Sequence, residues 1–282
     1  MKIFRDKKSL SEYIDSLKKN KKSIGFAPTM GALHDGHISL YKNAKKKNDI
    51  VISSIFVNPI QFNNSEDLAK YPVTTEKDIE KLKQSKQVDA VYIPSIKDIY
   101  PSGMQRKHYD FGGIENEMEG AARPGHFDGV GTVVEELFRQ MKPDNAYFGE
   151  KDFQQLKIIE KLVKNLSLPI KIHAVKIYRE SNGLAMSSRN IRLSEKEKED
   201  SSIIYKTLKQ VENWFRTISI SEIKMQVSEI FSKQEGMELE YFLIADEENL
   251  KETVFFYENK NYRAFIVVNV AKVRLIDNMR LV

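Results

Sequence analysis

Two histidines three residues apart, in Gly31-Ala32-Leu33-His34-Asp35-Gly36-His37, are the residues whose types and spacing point most directly to chemistry. The segment leaves the apolar run Ile24 to Ala27 and passes Pro28, Gly31 and Gly36 before an amphipathic stretch. It therefore reads as a strand-to-helix passage, with the helix starting near Leu33 and both imidazoles on one face. A helix start offers amide groups without helical partners to an anion. Imidazole donates to a phosphoryl oxygen and stabilises the charge that grows there. A metal site is the competing chemistry, but no cysteine and no further closely spaced histidine accompanies the pair. Two ordinary turn histidines are the plain alternative.

Three other segments carry groups suited to the same task. Asn58-Pro59-Ile60-Gln61 places two amides after an apolar run, where they could orient a hydroxyl or carboxylate without adding charge, or simply shape a proline turn. Gly149-Glu150-Lys151-Asp152 is again a passage from strand to helix. Lys151 suits a phosphate chain, and Asp152 suits a helix cap or an outer-sphere metal contact. Met186-Ser187-Ser188-Arg189 offers two hydroxyls and a guanidinium, either as a clamp on phosphates or as a serine-rich helix entry. His126, in Arg123-Pro124-Gly125-His126, fits capping or packing as well as it fits catalysis.

The elements that must hold these groups alternate. Strands are expected at Ile24 to Ala27, Ile50 to Val57, Asp89 to Pro94, Asn145 to Phe148 and Ile170 to Ile177. Helices are expected from Ser9, with Ser9 and Glu12 as a capping box, and over Gly36 to Lys47, Thr75 to Lys83, Val130 to Met141 and Asp152 to Asn165. Such alternation predicts a parallel sheet with helices on both faces, ligands binding beyond the carboxyl ends of the strands. The segments after Ala27, Val57 and Phe148 should then share a cleft. Tyr100 to Gly129 is read as a long irregular stretch kept for function.

Beyond residue 177 the rhythm changes. Helical stretches at Ser194 to Arg216 and Ser221 to Gln234 precede apolar strands at Leu239 to Ala245, Thr253 to Tyr257 and Arg263 to Val270, with a further one at Lys272 to Ile276. This predicts a smaller α+β domain, so the chain divides as 1–177 and 178–282, with Ser181 to Ser188 as a hinge.

Composition sets outer bounds. The 282 residues, 41% hydrophobic and 30% charged, suit folded structure throughout. The absence of cysteine excludes disulfides and thiolate chemistry. No apolar run approaches the length that crosses a bilayer, so a cytoplasmic protein is expected. The net charge of +5 is carried partly by lysine clusters at helix ends, Lys18 to Lys22 and Lys45 to Lys47, where cations complement the helix dipole. Without basic and aromatic residues interleaved, nucleic-acid binding is the weaker reading of that charge.

Taken together, PTMGALHDGH, FVNPIQF, RPGHFDGV, FGEKDFQQL and GLAMSSRN, spanning Pro28 to Asn190, resemble the pantothenate synthetase (pantoate–beta-alanine ligase) family of the nucleotidylyltransferase superfamily. The resemblance implies a Rossmann-type N-terminal domain, a smaller C-terminal lid, a homodimer, and magnesium accompanying ATP. It implies that pantoate attacks the α-phosphate of ATP and that beta-alanine then displaces AMP. Met30, Gly31, Ala32, Leu33, His34, Asp35, Gly36 and His37 would line the ATP site, with His34 and His37 on the phosphates. Gly149, Glu150, Lys151, Asp152, Met186, Ser187, Ser188 and Arg189 would complete it, Lys151 as a third catalytic group and Tyr178 at the adenine. Gln61, Gln155 and Asn58 would hold pantoate, and Gln61 would border beta-alanine. Val73 and Asn182 depart from the family's usual basic and acidic residues. A plain adenylyltransferase, stopping after AMP transfer, is the nearest rival.

Overall fold

The computed structural model describes residues 1–282, the side chains of Ser65 and Asp67 aside. In chain order the elements are β1 (Lys2–Phe4), α1 (Lys7–Lys19), β2 (Ile24–Thr29), α2 (Asp35–Lys45), β3 (Ile50–Ile55), α3 (Ser65–Ala69), α4 (Thr75–Ser85), β4 (Ala90–Tyr92), α5 (Ile96–Ile99), α6 (Met118–Ala122), α7 (His126–Met141), β5 (Asn145–Gly149), α8 (Phe153–Asn165) and β6 (Lys171–Val175). They continue as α9 (Glu195–Asp200), α10 (Ser202–Trp214), α11 (Ile220–Ser232), β7 (Met237–Asp246), β8 (Tyr262–Val270) and β9 (Val273–Leu281). The chain divides into two compact units. One is Met1–Glu150 with Gln154–Lys176, and the other is Ile177–Val282 with the tripeptide Lys151–Phe153.

The first unit is built on a six-stranded parallel sheet in the order β1-β4-β3-β2-β5-β6. Its inner strands are apolar because helices cover both faces. From β2 the chain moves outward through β3 to β4, then returns to the other side of β2 for β5. That reversal is where ligands enter sheets of this kind. The ladder makes the opening visible: β2 pairs with β3 from Ile24 to Thr29, but with β5 only at Gly25 and Phe26. Helix α2 is anchored to β3 by the Tyr41 hydroxyl, 2.6 Å from Ser53 Oγ. Burial raises the pKa of that phenol, so it stays protonated.

The second unit carries a three-stranded antiparallel sheet, β7-β8-β9. Ile204, Leu208 and Val211 of α10 and Ile220, Ile223, Val227 and Phe231 of α11 recur at helical spacing and pack in one core with Ile244, Ile266 and Val268 of the strands.

Several local expectations are corrected. Helix α1 starts earlier than Ser9 because Asp6 is its cap, its carboxylate accepting from Ser9 N at 2.8 Å. That aspartate satisfies an amide that the first turn leaves without a helical partner. Tyr100 to Gly129 is not wholly irregular: α6 lies within it, and α7 begins at His126. The expected helix from Ser194 to Arg216 is two helices, α9 and α10. Thr253 to Tyr257 forms no strand, and its apolar Val254, Phe255 and Tyr257 are exposed. The edge strand β1 was not anticipated, since three residues give too short a pattern to read. Ser181 to Ser188 does not link the units; it lies inside the second one, running from a hairpin in which Arg179 is bridged to Ala185 into the 3-10 turn Ser188–Arg192.

Candidate active site

In the first unit the loop after β2 turns through Gly31 and Ala32, both with positive φ (87° and 49°). A side chain at Gly31 would lie 3.0 Å from Asp78 Oδ2, so the close approach needs glycine as the backbone angle does. Asp78, on α4 and buried, receives the loop: its Oδ2 accepts from Ala32 N at 3.0 Å and its Oδ1 from Leu33 N at 2.7 Å. Thr74 Oγ1 donates to Oδ2 as well, at 3.1 Å. One turn further along α4, Lys81 Nζ lies 2.8 Å from Asp35 Oδ1 and, with the neighbouring Lys42 and His34, holds the Asp35 carboxyl below the usual carboxylate range. Two residues of α4 thus fix the loop and the start of α2. The amides of Ala32 and Leu33 are committed to Asp78, leaving those of Asp35 and Gly36 as the first-turn donors that no helical carbonyl satisfies.

His34 is the residue that caps α2, in extended conformation, and His37 is the third helical residue. Their rings lie 4.0 Å apart between centroids. The backbone N–H of His34 donates to His37 Nδ1 at 3.2 Å. Because Nδ1 accepts, the proton of the neutral His37 ring is on Nε2. The loop geometry therefore sets the tautomer that can donate to a phosphoryl oxygen.

The loop after β3 forms a 3-10 turn, Pro59–Gln61. Asn58 is fully buried, and its amide is committed inside the protein. The Tyr100 hydroxyl donates to its Oδ1 at 2.5 Å, and its Nδ2 donates to Gln61 Oε1 and to Gly129 O, both at 3.1 Å. Burial holds the pKa of Tyr100 well above its ordinary value, so this phenol remains a donor. That chain fixes the amide of Gln61, with Nε2 directed to Met30 Sδ at 3.1 Å. The backbone of the same turn is clasped by Arg106 Nε on Ile60 O (2.8 Å) and by His126 Nδ1 on Gln61 O (2.8 Å). His126 is thus a packing and orienting residue, the reading its place at the start of α7 allowed. Gly129 lets α7 come this close: a Cβ there would lie 2.7 Å from Ile60 O and 2.8 Å from Gln61 Cα.

Gly149 ends β5 at the reversal of strand order and Glu150 follows it, while Gln155 sits in the first turn of α8, half-buried. The neighbouring Gln154 is a scaffold residue, donating to Ile114 O and Glu117 O at 2.7 and 2.8 Å. The first unit therefore brings together Met30 to His37 and Gln61, with Asn58 behind Gln61.

The remaining assigned residues belong to the second unit. Met186 N donates to Tyr178 O at 3.0 Å, joining two of them across a hairpin whose turn is Gly183, at φ +95°. Asn182 supports that turn, accepting from Leu184 N at 3.1 Å and donating to Lys198 O at 2.9 Å. Its departure from an acidic residue thus has a structural use; nothing in the structure explains Val73, which is exposed. Ser187 Oγ accepts from Arg189 N at 3.3 Å and caps the 3-10 turn Ser188–Arg192. Lys151 and Asp152 lie in the turn Glu150–Asp152. Sequence reasoning missed Asp78, Tyr100, Arg106 and Gly129. An aspartate on the apolar stripe with Ile79 and Leu82, and a glycine inside a helix, were the available signals.

A parallel sheet whose strand order reverses beside a histidine-bearing helix start defines an α/β fold of the Rossmann type. Comparison with known proteins narrows this. The family model for pantoate-beta-alanine ligase matches residues 2–280. The pantothenate synthetase of Flavobacterium psychrophilum is 48% identical over 279 residues, 99% of each chain. The crystal structure of pantothenate synthetase from Thermus thermophilus superposes with a TM-score of 0.90 at 33% identity, covering 99% of both chains. That of the pantoate-beta-alanine ligase from Francisella tularensis, complexed with beta-gamma ATP and beta-alanine, does so with a TM-score of 0.81 at 40% identity, covering 99% of this chain and 97% of the other. The chain belongs to the pantoate–beta-alanine ligase family. No helix of the described residues is long and apolar enough to cross a membrane.

Proposed function

We propose that the chain condenses pantoate with beta-alanine through a pantoyl adenylate. In the first step a pantoate carboxylate oxygen attacks the α-phosphorus of ATP, and the bond to the β-phosphate breaks to release pyrophosphate. In the second, the amine of beta-alanine attacks the acyl carbon, loses a proton, and expels AMP. The observation that carries this reading is the His34 amide donating to His37 Nδ1 at 3.2 Å, which leaves Nε2 of the neutral ring to carry the N–H at the start of α2, where backbone amides also favour phosphate charge. No side chain need act as a nucleophile, so the protein contributes position and charge stabilisation.

In this reading Gln61 binds pantoate and borders beta-alanine, Gln155 is the second pantoate contact, and Asn58 orients Gln61 from behind. Met30 to His37, with Gly149 and Glu150, serve ATP. Lys151, Asp152, Tyr178 and Met186 to Arg189 are its further contacts, assigned from the family motifs. The chain would act as a cytoplasmic homodimer, which sedimentation at twice the chain mass would test.

Magnesium is expected with ATP. Among the described residues no three His, Asp or Glu side chains cluster to hold a metal, Asp78 is committed to the loop, and Asp35 is paired with Lys81. An ion carried in on the nucleotide would need few protein ligands, and Asp152 would be its outer-sphere partner. Bound there it would neutralise phosphate charge.

Product analysis tests the reaction. With ATP, pantoate and beta-alanine the expected result is AMP, pyrophosphate and amide in equal amounts. Release of ADP and inorganic phosphate would replace the adenylate with an acyl phosphate, and pyrophosphate without amide would favour the plain adenylyltransferase. A second prediction concerns Gly129→Ala. Its Cβ must push the Pro59–Gln61 turn away, an overpacking cost of about 1–3 kcal/mol. We expect the KM for pantoate to rise about tenfold, matching a loss near 1.4 kcal/mol, while the KM for ATP stays within twofold. Equal effects on both substrates would show that the glycine supports the whole fold rather than the Gln61 turn.

A further inference from the structure

We propose that Asn278 is a positioning residue for Lys151. The proposal rests on the assignment of Lys151 as the cation that contacts ATP phosphates. Strand β9 carries two buried polar residues side by side, Asp277 and Asn278. The mechanism above uses neither, and buried polar groups that lack a structural or chemical use are costly to keep.

Their contacts show what they hold. Asn278 Nδ2 donates to the backbone carbonyl of Lys151 at 2.9 Å. The orientation of that amide is set from the other side, because Arg263 Nη1 donates to Asn278 Oδ1 at 2.6 Å. Arg263 is itself held, by Glu247 Oε1 at 2.8 Å and by the ring of Phe153, over which its guanidinium lies at 3.9 Å. Phe153 also packs against Phe265 of β8. The tripeptide Lys151–Phe153 is therefore fastened at both ends to the antiparallel sheet of the second unit, although it follows β5 in sequence.

Asp277 does the equivalent for the adenine-side hairpin. Its carboxylate accepts from Nη1 and Nη2 of Arg179, at 2.6 and 3.0 Å, and Asn278 N donates to the same carboxylate at 2.8 Å. Arg179 follows Tyr178. One dipeptide of β9 thus registers Lys151 against the Tyr178 hairpin, although the chain runs through α8 and β6 between those two segments. A bidentate charge-assisted pair and an oriented amide make this a stiff link. Displacement by about 1 Å can cost 10²-fold in rate, so the link bears on turnover.

The test is a double-mutant cycle on the full chain with Asn278→Ala and Lys151→Met. Asn278→Ala should lower kcat about 10–100-fold, while the KM values for pantoate and beta-alanine stay within threefold. If Asn278 acts through Lys151, Lys151→Met should cost much less in the Asn278→Ala background than in the parent, because both remove one interaction. Additive losses, or an unchanged kcat in Asn278→Ala beside a defective Lys151→Met, would overturn the proposal. Full activity of Lys151→Met would instead overturn the underlying assignment, and this proposal with it. Should Asn278→Ala fail to fold, Asn278→Ser, which keeps an oxygen for Arg263 and is too short to reach Lys151 as well, enters the same cycle with the same criteria.

Discussion

His37→Ala lowers turnover by about 10²–10³-fold, the cost of removing one preorganised donor from a site of developing charge, and changes the KM for ATP far less. The reason for the asymmetry is that the contact strengthens as negative charge builds on the phosphoryl oxygens, and interactions that grow toward the transition state appear in kcat. The parent loop holds His37 Nδ1 on the His34 amide, so the donor is already oriented before ATP arrives. His37→Gln, which can place an amide N–H near the Nε2 position, should recover part of the loss. Steady-state kinetics with each substrate varied in turn supplies the comparison. A turnover number within twofold of the parent in His37→Ala would remove His37 from the chemistry.

The second large effect is at Asp78, a residue that touches no substrate in this account. Asp78→Asn is isosteric but turns one acceptor oxygen into a donor, and it cannot serve the amides of Ala32 and Leu33 together. Loop 31–33 must then shift, carrying His34 with it, and turnover should fall about 10²-fold. Asp78→Ala removes both acceptors. Hydrogen bonds to a charged group contribute about 1.5–3 kcal/mol each, so about 3–6 kcal/mol of folding stability should go, a large part of the total for an ordinary domain. Thermal unfolding and kinetics measured on both variants separate the effects: Asn should be folded but slow, Ala visibly less stable. An Asp78→Asn protein with parental turnover would show that the loop keeps its shape without the Asp78 carboxylate.

What could be read from the sequence follows from how local each signal is. The strand and helix alternation of the first unit was legible because buried parallel strands such as Ile50–Ile55 are continuous apolar runs, and α2, α4 and α8 carry helical spacing. The His34 and His37 pair was legible because glycine, proline and histidine cluster in one short segment. The devices that make the pair useful were not, because each joins segments far apart in the chain. Asp78 lies 45 residues from Leu33, and Tyr100 lies 42 from Asn58. Asn58 shows the same limit from the other side. Its type suggested a substrate contact, whereas its burial and its bonds to Tyr100, Gln61 and Gly129 describe a residue that aims Gln61. Thr253 to Tyr257 has the composition of a strand, yet Tyr262 pairs with Asp246 and closes the β7–β8 ladder there. The apolar residues before Tyr262 are left to the connecting loop.

The central claim is that the pantoate carboxylate attacks the α-phosphorus of ATP, and isotope transfer tests it most directly. Pantoate labelled with ¹⁸O in both carboxylate oxygens, turned over with ATP and beta-alanine, should deliver one labelled oxygen to the phosphate of AMP, with the other retained in the amide carbonyl. AMP free of label, or label found in inorganic phosphate, would contradict the account.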